Sequence, residues 1–332
     1  MDKPDYLEHH AMTNKQRLEA LLQGVAPDTP PHFELLFQLE KEYFGMDVEA
    51  VKARAYGTQA ERDLAVEQFY IDVRWRLIEE CGWAAVPPLT YDFGGHDMPR
   101  LGRLKAAVGP RALVYDWNGL GVFSMPSGAD IMDFVVMLYE RPEEMHAQAR
   151  RRCEDAKELA RRQVDAGVDF LFMNSDFGFN EGPFISPDHF REFVTPYMTE
   201  IVQHVHDLGV PIVLHSDGDL RRILDQIHGT GIDGYQSVDP QGHMDIKSVR
   251  DAYPEWLLMG NVACNMLQDT NASRIRKSVR YCMTHGGLGK RYVFSTSNCI
   301  FKGMPPESYR VMLDEYHRIA MKPEDCAQEE PS

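Results

Sequence analysis

The sharpest chemical signal in the chain is a histidine and an aspartate two residues apart, at the end of an apolar run. The run is "PIVLHSDGDL", residues 211–220. Strand side chains alternate, so His215 and Asp217 share one face if the strand persists through Asp217. Imidazole plus carboxylate holds a divalent metal once a third ligand such as a thiolate joins, with one coordination position left open. The same pair can instead act as a tuned general acid or base. The plain alternative is a turn at Asp217-Gly218, with Asp219 capping the helical segment "LRRILDQI". Asp219 can make that cap alone, which leaves Asp217 available. Cys299, in "FSTSNCIFKGMPPESY", is the candidate thiolate, although a lone cysteine is more often a small packed side chain.

Groups so far apart in sequence need a scaffold that gathers them. Short apolar runs supply it: "HFELLF" (32–37), "WAAVPP" (83–88), "ALVYD" (112–116), "DFLFMN" (169–174), "PIVLH" (211–215), "DGYQSV" (233–238), "WLLMGN" (256–261) and "YVFSTS" (292–297). Most are continuously apolar, as parallel strands covered on both faces must be. Between them lie segments of helical period that stop at glycine, such as "PDHFREFVTPYMTEIVQHVHDLG". Eight strands alternating with helices over roughly 300 residues predict an α/β fold, a closed (β/α)8 TIM barrel. A doubly wound sheet would want a GxGxxG loop after an early strand, and the sequence has none.

A barrel builds its site from the loops at the C-terminal ends of its strands. These ends supply Glu34, then Tyr91 and Asp92, Asp116 and Asn118, and Asn174, Asp176 and Glu181. His215 and Asp217, Gln236 and Asp239, Asn261, and Ser297, Asn298 and Cys299 complete the ring. Many Asp and Asn residues in such loops merely cap the next helix. His215, Glu34 and Cys299 are not favoured caps.

Composition narrows the function classes. The 332 residues contain 35 Lys and Arg against 51 Asp and Glu, a formal charge of −16, which disfavours a nucleic-acid partner. No run approaches the ~18 apolar residues of a membrane span, and the N-terminus has no apolar signal core. Six scattered cysteines suggest reduced thiols in a cytoplasm. One barrel domain is expected over residues 1–322, with a short extension at 1–12 and a polar, acidic tail at 323–332.

The opening "MTNKQRLEALLQG" followed by "PDTPPHFE" resembles the uroporphyrinogen decarboxylase superfamily. So do "SDFGFNEGPFISPDHFREFVTPY", "HSDGDL" and "SNCIFKGMPPESY", in the same order along nearly the whole chain. The resemblance implies a (β/α)8 barrel with its site at the C-terminal mouth. It also implies either porphyrinogen decarboxylation or methyl exchange with corrinoid proteins. Decarboxylases carry an arginine pair in an "RQAGR"-like segment after the first strand. Here that region reads "PPHFELLFQLEKEYFG", with Glu34 and no arginine to grip substrate carboxylates. Their "FSD" aspartate is replaced by "AAVPPL", and their late histidine falls near Asn298.

The methyltransferase branch is the nearer match. It commonly holds zinc through His-x-Cys after the fifth strand and a cysteine after the eighth. Those positions correspond here to His215-Ser216-Asp217 and Cys299. A His215/Asp217/Cys299 metal site, harder than its thiolate-rich counterparts, suits activation through oxygen or nitrogen. The expectation is therefore a corrinoid-dependent methyltransferase, with a small O- or N-methyl donor in the mouth and a separate corrinoid protein docking over it. His215, Asp217, Asp176 and Glu181 are the catalytic candidates. Glu34, Tyr91, Asn174, Tyr235 and Asn298 are the donor-contacting ones. A homodimer is implied by the resemblance alone. The alternatives are a decarboxylase-like lyase on a tetrapyrrole or smaller carboxylate, and a ligand-binding barrel without turnover.

Overall fold

The computed structural model describes residues 12–119 and 121–321. The expected tail at 323–332 and, apart from Met12, the N-terminal extension lie outside the described residues. The strands are β1 (Ala85–Val86), β2 (Leu113–Trp117), β3 (Phe170–Asn174), β4 (Gly178–Phe179), β5 (Gly182–Pro183), β6 (Ile212–His215), β7 (Gly234–Ser237), β8 (Leu257–Val262) and β9 (Tyr292–Thr296). All but β4 and β5 alternate with helices, and every pairing between these strands described below is parallel. The fold class is α/β of the TIM-barrel type.

The chain divides into two compact units, residues up to Val114 with Leu257 onward, and Tyr115–Trp256. In the first, β1 pairs with the start of β2, and β8 pairs with β9 over five residue pairs. The expected first strand, 32–37, is reduced to bridges: His32 pairs with both Trp83 and Phe294, and Phe37 with Ile300. The second strand is also shorter than "WAAVPP", because Pro87 and Pro88 offer no N–H to a neighbour. Around these strands lie Leu35, Phe37, Val86, Phe294 and Tyr309, all buried. The long helix Gln59–Cys81 starts with a Thr58/Glu61 capping box and stops at Gly82 in the left-handed region.

In the second unit the order is β2-β3-β6-β7. The runs "FLFMN" and "IVLH" are buried, as sequences covered on both faces should be. One outward face packs on the helix Pro142–Asp165. Gln163 from that helix donates to the Asp116 carboxylate and the Trp117 carbonyl, and Asn118 donates to Ala156 and Gln163. Asp116 and Asn118 are therefore fasteners between strand and helix. The helical run expected from Pro187 onward is divided into Pro187–Phe193 and Thr195–Asp207 at Val194, whose φ is −115°. Pro196 explains the break, since its ring cannot fit inside a continuous helix. No helix among the described residues is long and apolar enough to cross a membrane.

Candidate active site

Register decides which polar strand ends share a cavity face. Asn174 on β3, His215 on β6 and Gln236 on β7 are paired side by side, so all three point to one face at one level. Tyr235 and Leu214 point to the other. His215 is only 6% exposed and meets the edge of Trp117 at 6.3 Å. Its Nδ1–H donates to the Gln236 side-chain oxygen. That bond fixes the tautomer with the lone pair on Nε2, which lies 4.0 Å from Asp176 Oδ1.

Asp217 reaches the same place by a different route from the one alternation predicts. Strand β6 ends at His215, and the loop after it sets Asp217. The Asp217 N–H donates to Asp176 Oδ1, and the Gly218 N–H donates to Asp239 Oδ2. Ser216 is tied on both sides: its hydroxyl accepts from the Phe177 N–H and its carbonyl accepts from the Tyr235 hydroxyl. Gly218 has φ +85° and lies against the backbone of Gly178, while Gly242 lies against Gly218. A side chain at Gly218 would collide with the Gly178 backbone, so the close approach of the three loops requires glycine there. Beside them Ser237 and the β-branched Val238 sit at φ 151° and 50°, backbone strain of the kind that gathers at functional sites.

The donor atoms of Asp176, His215 and Asp217 all lie within 4.8 Å of one another. Burial pushes the Asp217 carboxyl above its ordinary range. His215 and the Ser237 hydroxyl pull it back, and the charges of Asp176 and Asp239 raise it further. An imidazole lone pair and two carboxylates suit a divalent cation bound through nitrogen and oxygen. They do not form a thiolate-rich site. A second such cluster, Cys153, Glu154 and Glu200, has its charges met by Lys157 and Arg150 and serves packing between helices.

The other candidates sort themselves differently. Asn174 is half-buried on the His215 face. Glu181 stands at the turn between β4 and β5 with its side chain 90% exposed and His243 at 3.6 Å, so it is a surface group and not a pocket acid. Tyr235 is fully buried on the face away from His215, where it stacks on Trp256 and holds the Ser216 carbonyl. It holds the loop in place, and the charges of Asp217 and Asp239 reach its hydroxyl. Asp219 grips Arg221 through its side chain and backbone N–H, and the helix begins only at Leu224, so Asp219 caps a turn. Asp239 likewise caps the turn Pro240–Gly242. Tyr91 lies in the short helix Thr90–Phe93.

In the first unit, Glu34 is completely buried, and its Oε2 accepts from the Thr296 N–H at 2.9 Å and hydroxyl at 2.6 Å. Burial pushes its carboxyl up to about 8, with the Thr296 bonds pulling the other way. His32 Nδ1 is 4.0 Å from it but donates to the Phe294 carbonyl, while Nε2 accepts from the Tyr309 hydroxyl. Burial lowers His32 to about 4, so at neutral pH both groups are uncharged and form no ion pair. Asn298 and Cys299 are half-buried at the end of β9. The Cys299 carbonyl accepts from the thiol of Cys264, which also faces the Ser297 hydroxyl. Burial raises that thiol, and the nearby Glu34 adds to the effect. Cys264 opens the helix Cys264–Gln268 directly after β8, a strand-end position like those of the other candidates, yet the sequence reading passed over it.

Comparison with known proteins agrees with this architecture. The uroporphyrinogen decarboxylase (URO-D) family model matches residues 122–319. The uroporphyrinogen decarboxylase of Sulfurimonas denitrificans is 24% identical over 189 residues, covering 56% of this chain and 52% of that protein. The one from Thioalkalivibrio sulfidiphilus is 26% identical over 191 residues, with 56% and 52% covered. The chain thus spans about half the length of the curated relatives it matches. A solved methyltransferase from Methanosarcina mazei superposes with a TM-score of 0.71 at 16% identity, over 93% of this chain and 99% of that one. That likeness is one of fold. With the family model covering more than half of its residues, this chain belongs to the uroporphyrinogen decarboxylase family.

Proposed function

We propose that the chain is a methyltransferase that moves a methyl group between a small O- or N-methyl compound and a corrinoid carried by a partner protein. The observation that carries this reading is the Asp176–His215–Asp217 cluster. It attracts a cation and repels a polycarboxylate, the opposite of what a porphyrinogen demands. The absence of arginine from "PPHFELLFQLEKEYFG" points the same way, and a neighbour in fold is a methyltransferase.

When the methyl group leaves its oxygen or nitrogen, the bonding electron pair stays on that atom and a proton must follow. Where no cation is held, Asp217, its carboxyl raised by burial, is placed to hold that proton. His215, with Nδ1–H fixed by Gln236, offers Nε2 to a ligand. A divalent cation, zinc among them, would supply Lewis-acid stabilisation of the departing atom if held by His215 and Asp217. Asp176, whose donor atom lies within 4.8 Å of theirs, would be the third ligand in this reading.

The test is to incubate the chain with a corrinoid protein reduced to Co(I) and a panel of O- and N-methyl compounds. Absorbance of the methylated corrinoid should appear with at least one donor. No methylation with any donor, together with CO2 release from uroporphyrinogen, would replace this reading with the decarboxylation named for the relatives.

A further inference from the structure

Exposed apolar residues in the second unit are concentrated. Of the ten large apolar side chains exposed among the described residues, Ile131, Val135, Tyr139 and Phe179 line a single groove of about 310 Å³. The first three fall on one face of the helix Ile131–Glu140, and Phe179 projects from the β4–β5 hairpin; Phe184 lies in the floor. One charged side chain reaches this groove, Arg222. Its neighbour Arg221 is held by both oxygens of Asp219. Arg222 has no ion pair or hydrogen bond with any described residue. An unmatched guanidinium beside an apolar wall, in a chain of charge −16, is an attraction for one kind of guest.

We infer that this groove is a binding site for a small aromatic carboxylate, its ring against Val135, Tyr139 and Phe179 and its carboxylate on Arg222. Charge selects the anion, because a neutral ring gains at most a cation–π contact from Arg222 and a polyanion meets the acidic surface. Size selects one ring, because the volume is at the small end of ligand pockets. The site uses the two loops that also carry Asp176 and Asp217, those following β3 and β6. It does not depend on the methyl-transfer reading.

The test uses benzoate, which has no methyl group to transfer, so it is silent on that reading. Titration of the full chain by NMR or calorimetry should show saturable binding of benzoate at least tenfold tighter than of benzamide. Arg222→Gln should erase that preference while leaving the thermal midpoint in place, since Arg222 is exposed. Val135→Glu, which puts a carboxylate in the groove, should abolish benzoate binding. Equal affinity for benzoate and benzamide, or unchanged benzoate binding in both variants, would overturn the assignment. So would self-association that rises with concentration and is lost in Val135→Glu, because the groove would then belong to a second copy of the chain.

Discussion

Two acidic centres in this molecule use the same functional group for opposite ends. Glu34 is a fully buried carboxyl beside His32, held near 4, and the Thr296 amide and hydroxyl. Burial outweighs the Thr296 hydrogen bonds and keeps the proton on, up to about pH 8. Asp176, His215 and Asp217 instead crowd three donors within 4.8 Å, and the Asp176 side chain is 45% exposed. There the cheapest relief of repulsion is a cation or a shared proton. A buried acid stores a proton, and a crowded, partly open one gathers positive charge. Environment, not residue type, assigns the role.

The comparison is most easily broken at its charged side. His215→Ala and Asp217→Asn should each lower methyl transfer by about 10²–10⁴-fold, the usual span for losing an acid, base or ligand. Both should also lose bound divalent cation, read by elemental analysis, while His215→Ala leaves the pH behaviour of Glu34 intact. Full activity and full cation content in Asp217→Asn would show that the cluster is not the working centre. Next in size is Gly218→Ala. The added methyl meets the Gly178 backbone at a positive φ, and roughly 2–3 kcal/mol of stability should be lost in denaturant titrations. Cation affinity should fall with it, because Asp176 and Asp217 sit on the two loops that the contact joins.

The neutral side is tested by pH. Unfolded, Glu34 ionises near its ordinary 4.5; folded, it holds its proton to about 8. Between these values the native state binds the extra proton, so stability falls as pH rises, by about 1.4 kcal/mol per unit, and levels off above the folded value. Glu34→Gln removes this slope. Stability of the two proteins measured from pH 5 to 9 should therefore diverge, with the variant the flatter. Parallel curves would mean that Glu34 is ionised in the fold, which would make the two centres alike.

How much of this was legible in the sequence differs element by element. "DFLFMN", "PIVLH" and "YVFSTS" became strands nearly as read, because a run covered on both faces has little else it can be. "HFELLF" kept only bridges, and "WAAVPP" only Ala85–Val86. His215 and Asp217 were visible as a pair, but for a reason that did not hold. The strand stops at His215, and a glycine contact between distant loops delivers Asp217. Asp176 could be named as a candidate, yet its place as the third donor depends on the pairing of β3 with β6. Glu181 was misplaced because residues 178–183 fold into a hairpin that carries it into solvent. Residue spacing reveals faces along one strand; it does not reveal which loops touch.

Tyr235 and Gln236 show that limit in adjacent residues, and they separate contact from support. Both lie in the strand Gly234–Ser237, so alternation allows only one to share the His215 face, and register selects Gln236. Gln236→Leu removes the acceptor for His215 Nδ1–H and should cost roughly tenfold in methyl transfer as the ring loses its fixed orientation. The smallest effect belongs to Tyr235→Phe. It deletes one buried hydrogen bond, to the Ser216 carbonyl, at about 1 kcal/mol of stability. The Michaelis constant for the methyl donor should be unchanged, since the ring stacks on Trp256. A raised Michaelis constant in Tyr235→Phe, with kcat preserved, would return Tyr235 to the donor-binding surface.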